Sequence, residues 1–233
     1  MSSEKDEDQG VLAKVILGAH DTNYASFQQF DKKILIIRDP RDWLISGCIF
    51  LIQQIPEIYQ NRDVLDHIRH YLHLKEKMPS LCPFYDLLEF VLGFSGLKNV
   101  ESFKRWVKTL HRDFIDFSTA DKSIFKIFYE DFVDRKTGRL SEYLSIRISD
   151  DLTLEKAHAH VPRTKGYGNW RDWYTQKDID LLRPLFEDYL NHFGYDPQFN
   201  LHVKPMIRPE DCSEYVEKII ALRLAGIKTS TKV

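Results

Sequence analysis

Arg38 closes an apolar run, Lys33-Ile-Leu-Ile-Ile-Arg38, and is followed at once by Asp39-Pro40. Asp39 can cap a helix with its carboxylate, and Pro40 brings the preset φ that suits a first helical position. A guanidinium at that place lies beside helical N–H groups that already favour negative charge, so the chemistry on offer is the binding of an oxyanion. Ser46 falls four residues after Asp42 on the same helical face, where its hydroxyl can line one side of the turn. A later stretch, Arg163-Thr-Lys-Gly-Tyr-Gly-Asn-Trp170, offers the same chemistry. There Arg163 and Lys165 neutralise an anion, Gly166 and Gly168 let backbone amides approach it, and Trp170 anchors the loop. The competing reading makes Arg38 and Arg41 surface partners of Asp39 and Asp42, and the glycines a hinge leading into a helix. His20 is the candidate proton acceptor, because an imidazole titrates near neutral pH; its plain alternative is a loop histidine.

These side chains need a strand, a tight turn and a helix to hold them. The β-branched run Lys33 to Arg38 predicts a strand buried on both faces, as in a parallel sheet, and the helix after Asp39-Pro40 should reach about Gln54, before Pro56. Val11 to Leu17 and Ser123 to Tyr129 predict two further strands. Between them, roughly 63–117 is helical, with Val64, Leu65, Ile68, Tyr71 and Leu72 on one face and Phe103, Trp106, Val107, Leu110 and Phe114 on another. Thr175-x-x-Asp178 has the form of a capping box for a helix from Gln176 that Pro184 should bend and Gly194 should end. Glu210 to Ala225 predicts a last amphipathic helix. Strands separated by helices make the fold class α/β.

Composition narrows the functions open to such a domain. The chain has 233 residues with 43% hydrophobic and 29% charged, enough to bury a core. Its formal charge of −2 argues against whole-protein attraction to nucleic acid or to an anionic membrane, so any anion site must be local. Cys48, Cys82 and Cys212 form no C-x-x-C pair and suit a reducing compartment, with the cytoplasm as the default location. The most apolar run, Leu44 to Ile55, is broken by Ser46, Gly47, Gln53 and Gln54 and falls short of the roughly 20 residues of a spanning helix.

Three of these stretches, in order, resemble the nucleotide-binding segments of sulfotransferases that use the sulfate donor PAPS. Arg38-Asp-Pro-Arg-Asp-Trp-Leu-Ile-Ser46 after a hydrophobic strand is similar to the segment that holds the donor's 3′-phosphate. Phe128-Tyr129-Glu130-Asp131 is similar to the family's Tyr-Glu-Asp turn, whose tyrosine packs near the adenine. Arg163 to Trp170 is similar to the late Arg-Lys-Gly-x-x-Gly-Asp-Trp loop that closes over the 3′-phosphate. With Gly168 and Trp170 aligned, Arg163 takes the arginine position, Thr164 replaces a lysine, Lys165 replaces the first glycine, and Gly166 is displaced by one. The resemblance implies a P-loop NTPase-like sulfotransferase fold with a central parallel sheet flanked by helices. It implies PAPS as co-substrate, PAP as product, no metal, and a small-molecule or glycan acceptor, with Arg38, Ser46, Tyr129, Arg163, Lys165 and Gly166 at the nucleotide. His20, placed before the Arg38 segment as the family's catalytic histidine is, would be the base.

The resemblance spans about Val15 to Asp196 and departs from the family upstream. Nothing in the 19 residues before His20 supplies the Pro-Lys-Ser-Gly-Thr-Thr-like loop that holds the 5′-phosphosulfate, and no G-x-x-x-x-G-K-[ST] occurs anywhere. The expected organisation is therefore an acidic, frayed 1–10, an N-terminally incomplete sulfotransferase-like domain over 11–196, and a C-terminal extension with one helix over 197–233. A non-catalytic or truncated member that binds PAP-like nucleotide or a protein partner is the alternative. His67, His70 and His73 recur every third residue, which swings them around a helix by about 60° each rather than converging them on a metal. Glu130 and Asp131 could mimic an acid/base dyad, but a structural role in the turn is preferred.

Overall fold

The computed structural model describes Val15, Leu17 and residues 24–97, 99–148 and 166–230. His20, Arg163, Lys165, the acidic 1–10 and most of the predicted strand at Val11 to Leu17 lie outside the described residues. Those described form an α/β arrangement that is mostly helical, with a single two-stranded parallel sheet among them. A short helical turn, Tyr24–Phe27, precedes β1 (Ile34–Ile37). Next come α1 (Pro40–Gln54), α2 (Pro56–Tyr59), α3 (Arg62–Lys77), α4 (Phe84–Leu92) and α5 (Val100–Ala120). β2 (Phe125–Phe128) then returns to lie beside β1, Ile34 opposite Phe125 and Ile37 opposite Phe128. It is followed by α6 (Tyr129–Val133), α7 (Gly138–Leu144), α8 (Trp170–Trp173), α9 (Gln176–Phe193) and α10 (Ser213–Ser230).

The local signals account for the main boundaries. Asp39 caps α1 by accepting from Arg41 N at 2.9 Å, and Pro40 is its first residue. Pro56 both ends α1 and opens α2. The capping box at Thr175 and Asp178 opens α9, Gly194 closes it in the left-handed region at φ 74°, and the helix continues through Pro184. Asp178 also does a second task that its own helix does not require. Helix α4 begins after Pro83, which has no side-chain cap to offer, and the buried Asp178 carboxylate accepts from Phe84 N (3.0 Å) and Tyr85 N (2.7 Å). One carboxylate thus satisfies amides at two helix starts.

The strand β1 corrects the expectation of burial on both faces. Leu35 and Ile37 are buried against Ile124, Tyr189 and Phe193, while Ile34 and Ile36 are exposed. A continuous apolar run signals two covered faces, but α5 and α9 supply cover on one face only. The larger core packs α1, α3, α4 and α9 through Leu44, Ile52, Ile68, Leu88 and Leu182. Phe199, Ile207, Val216 and Ile219, beyond the boundary drawn at Asp196, belong to that same core. No helix among the described residues is long and apolar enough to cross a membrane.

Candidate functional site

The turn between β1 and α1 lies at the C-terminal edge of the parallel sheet, where open α/β folds place their ligands. Glu130, just past β2, fixes that edge. Its Oε1 accepts from Asp39 N at 3.2 Å and its Oε2 accepts from the Tyr195 hydroxyl at 3.0 Å. The two strand ends are thereby tied together, which is the structural role preferred for Glu130. Burial, followed by the Glu130 charge, holds the Tyr195 phenol protonated far above its ordinary range.

Arg38 reaches across the first turn of α1, and its Nη2 donates to Ser46 Oγ at 2.9 Å. Ser46 in turn donates to the carbonyl of Asp42 at 3.0 Å, so the hydroxyl is held in place to accept from the guanidinium. The Tyr129 ring lies under Arg38, with its centroid 4.4 Å from the guanidinium carbon. Arg38 Nε is buried and has no hydrogen-bond partner. Three of the sequence-predicted residues, Arg38, Ser46 and Tyr129, are therefore one cluster. The surface ion pairs of the competing reading do not form: Arg38 bonds to neither Asp39 nor Asp42. The nearby pair that does form is Arg41 with Asp39, at 2.7 Å, and it is buried.

That buried pair changes what the helix end can do. Asp39 Oδ1 already occupies Arg41 N, so the amide nearest the turn is spent. The remaining Arg41 donors reach the carbonyls of Asp196 and Gln198, both at 3.0 Å. Its guanidinium also lies 4.1 Å from the Trp170 ring and 5.1 Å from the Phe199 ring, which pack edge-to-face against each other. Any anion at this turn would therefore be held chiefly by Arg38.

Gly166 opens the described part of the late loop and is half-buried. Two residues on, Gly168 has φ 80°, a conformation that strains any residue with a Cβ. Asp42 clasps this loop: its Oδ2 accepts from Gly168 N at 2.5 Å and its Oδ1 from Trp170 N at 3.0 Å. Burial nonetheless dominates, and with help from the Asp39 charge it pushes the Asp42 carboxyl up to about 6 against the pull of those amides and of Arg38. The Tyr174 hydroxyl, donating to the carbonyl of Arg41 at 3.0 Å, makes a further link from the late segment to the turn. The late loop and the Arg38 turn are thus joined through Asp42, at the loop's Trp170 end.

A small cavity of about 100 Å³ adjoins Arg38, with Trp43, Phe114, Tyr189 and His111 among its walls. His111 carried no signal in the sequence beyond its place on an apolar helix face, and Tyr189 looked like core. Burial pushes the His111 imidazole down to about 4. Phe84 and Tyr85, at the start of α4, are core residues. The His67 ring packs at a tilt against Phe90, centroids 4.4 Å apart, and His73 faces Glu76, so two of the three spaced histidines have partners of their own. Comparison of the chain with family models, with curated proteins and with solved structures finds no match.

Proposed function

We propose that this chain is a sulfotransferase-like protein that recognises the adenosine 3′-phosphate end of PAPS and transfers the sulfuryl group to an acceptor hydroxyl or amine. The observation that carries the reading is the meeting of three separate motifs at one sheet edge. Arg38 and Ser46 bond directly, Tyr129 underlies the guanidinium, and Asp42 binds the loop ending in Trp170. Arg38 has a buried donor to spare, which suits an oxyanion that arrives with the ligand.

In this reading Arg38 holds the ribose phosphate, Ser46 fixes the guanidinium, and Tyr129 flanks the adenine. Arg163, Lys165 and Gly166 close over the phosphate from the late loop. The acceptor oxygen or nitrogen attacks sulfur, the bond from sulfur to the 5′-phosphate oxygen breaks, and that phosphate leaves with the electron pair. His20 takes the acceptor's proton. Positioning and positive charge would do most of the work.

The test is incubation of the full chain with PAPS and a panel of hydroxyl and amine acceptors, with PAP release followed over time. Acceptor-dependent PAP release that His20→Ala abolishes while PAP affinity is retained supports the transferase. Tight PAP binding with no turnover supports the second reading, a nucleotide-binding protein without transfer, which the lack of any G-x-x-x-x-G-K-[ST] pattern favours. Absence of PAP binding overturns both.

A further inference from the structure

Helices α3 and α4 line a cavity of about 370 Å³, a size that takes small organic molecules. Its walls come from two helical faces. His67 and Tyr71 stand four residues apart on α3, while Asp86, Glu89 and Phe90 share one face of α4 with Leu87 beside them. The His67 ring packs against Phe90, and the Tyr71 hydroxyl donates to the carbonyl of Pro83, which fixes that ring just ahead of α4. The hollow is therefore walled by rings and one leucine, and its only charged walls are the two carboxylates and, when protonated, the imidazole.

Charge decides what such a hollow can hold. Asp86 is already answered, because its Oδ1 accepts from Lys177 Nζ at 2.7 Å. That bond, ahead of the fields of Asp178 and Glu89, raises the Lys177 ammonium above its ordinary range. Glu89 is exposed, and its carboxylate makes no hydrogen bond or ion pair among the described residues. With a neutral imidazole, two acids and one ammonium leave one negative charge beside the rings. An anion would be repelled there, and an uncharged apolar molecule would strip water from Glu89 without replacing it. A monocation with an apolar body meets both demands. We propose that this cavity binds a small organic ammonium ion, a single cationic head on an aromatic body. The head pairs with Glu89 and lies against the Phe90 and Tyr71 rings, and the body packs on Leu87. None of these residues belongs to the Arg38 turn, so the site goes beyond nucleotide recognition and does not depend on it.

Titration of the full chain with phenethylamine, 2-phenylethanol and 3-phenylpropanoate, followed in NMR spectra of the His67 ring, tests the proposal. The amine should bind saturably, move the His67 signals, and bind roughly tenfold more tightly than the alcohol, as one screened ion pair and one ring contact together allow. The propanoate should bind more weakly than the alcohol. Glu89→Gln should cut the preference for amine over alcohol by about threefold while the alcohol's own affinity stays, the sign that the cavity is intact. Equal affinity for amine and alcohol, His67 signals unmoved at saturation, an unchanged preference in Glu89→Gln, or no saturable binding would each overturn the proposal. Should Glu89→Gln fail to fold, the comparison of amine with alcohol in the unaltered chain still decides. PAP titrated into the same samples keeps the two claims apart, since either ligand can bind without the other.

Discussion

Arg38 and Arg41 stand three residues apart on one turn, and their surroundings differ in kind. Arg41, on the helix side, has Nε, Nη1 and Nη2 all bonded to Asp39, Asp196 and Gln198, and two aromatic rings, Trp170 and Phe199, beside it. Arg38, on the sheet side, has one bond to Ser46, one ring beneath it, and a buried Nε with no partner. The difference comes from where distant segments arrive. The chain at Asp196 to Phe199 and the helix start at Trp170 both converge on Arg41, whereas among the described residues the Arg38 guanidinium stacks on the Tyr129 ring and borders an apolar cavity. A guanidinium whose donors are spent holds the fold together, and one with donors left over is free to hold something else.

Truncating the two arginines should separate these roles most sharply on the Arg41 side. Arg41→Ala leaves the Asp39 carboxylate buried and unpaired and frees two carbonyls, and it should cost about 3–5 kcal/mol in urea unfolding. Arg41→Lys should recover only part of this, since an ammonium cannot reproduce the planar fork. A loss below about 1 kcal/mol would erase the contrast, because that is the level of an exposed pair.

The two sides should also titrate in opposite directions. Asp42, which clasps the late loop, has its carboxyl raised from 3.8 to about 6, so its contribution is fully present below pH 3.8 and is lost as pH rises through 6. His111, on the Arg38 side, is lowered from 6.5 to about 4, so its contribution is fully present above pH 6.5 and is lost as pH falls through 4. Each is worth about 3 kcal/mol between its protonation limits. Relative to the unaltered chain, Asp42→Asn should become less stable on going from pH 6 to pH 4, and His111→Leu more stable. Denaturant midpoints at the two pH values check the signs, and identical shifts in the two variants would show that neither group titrates as its surroundings dictate.

Smaller effects complete the series. Tyr174→Phe removes the hydroxyl that donates to the Arg41 carbonyl and should cost about 1–2 kcal/mol of unfolding free energy. Arg38→Ala should change stability by less than about 1 kcal/mol, because it loses one hydroxyl bond and a ring contact but also removes a buried unpaired donor. Thermal melts that rank Arg38→Ala below Tyr174→Phe would make Arg38 a structural residue after all.

The parts that local sequence could specify are those whose signals act within a few residues. Asp39-Pro40 marked the start of α1, Thr175 with Asp178 marked the start of α9, and Gly194 marked its end. The Arg38 to Ser46 contact was legible for the same reason, being eight residues long and set by one helical turn. What could not be read are bonds made across the chain. The clasp of Asp42 on Gly168 spans 126 residues, and the tie of Arg41 to Asp196 spans 155. Nothing near Asp178 in sequence signals that it also caps α4, nor that His111 faces a cavity rather than core. The exposure of Ile34 and Ile36 was missed because an apolar run reports the preference of a strand, not how many helices come to cover it.

The central claim is that the spare donors of Arg38 exist to grip a nucleotide phosphate. Calorimetric titration of adenosine 3′,5′-bisphosphate into the unaltered chain and into Arg38→Ala tests it most directly. The account predicts saturable binding to the former and a loss of roughly thirtyfold or more in the latter, as truncating a charged hydrogen-bond partner demands, with the fold retained. Equal affinity in both, or no heat in either, would contradict it.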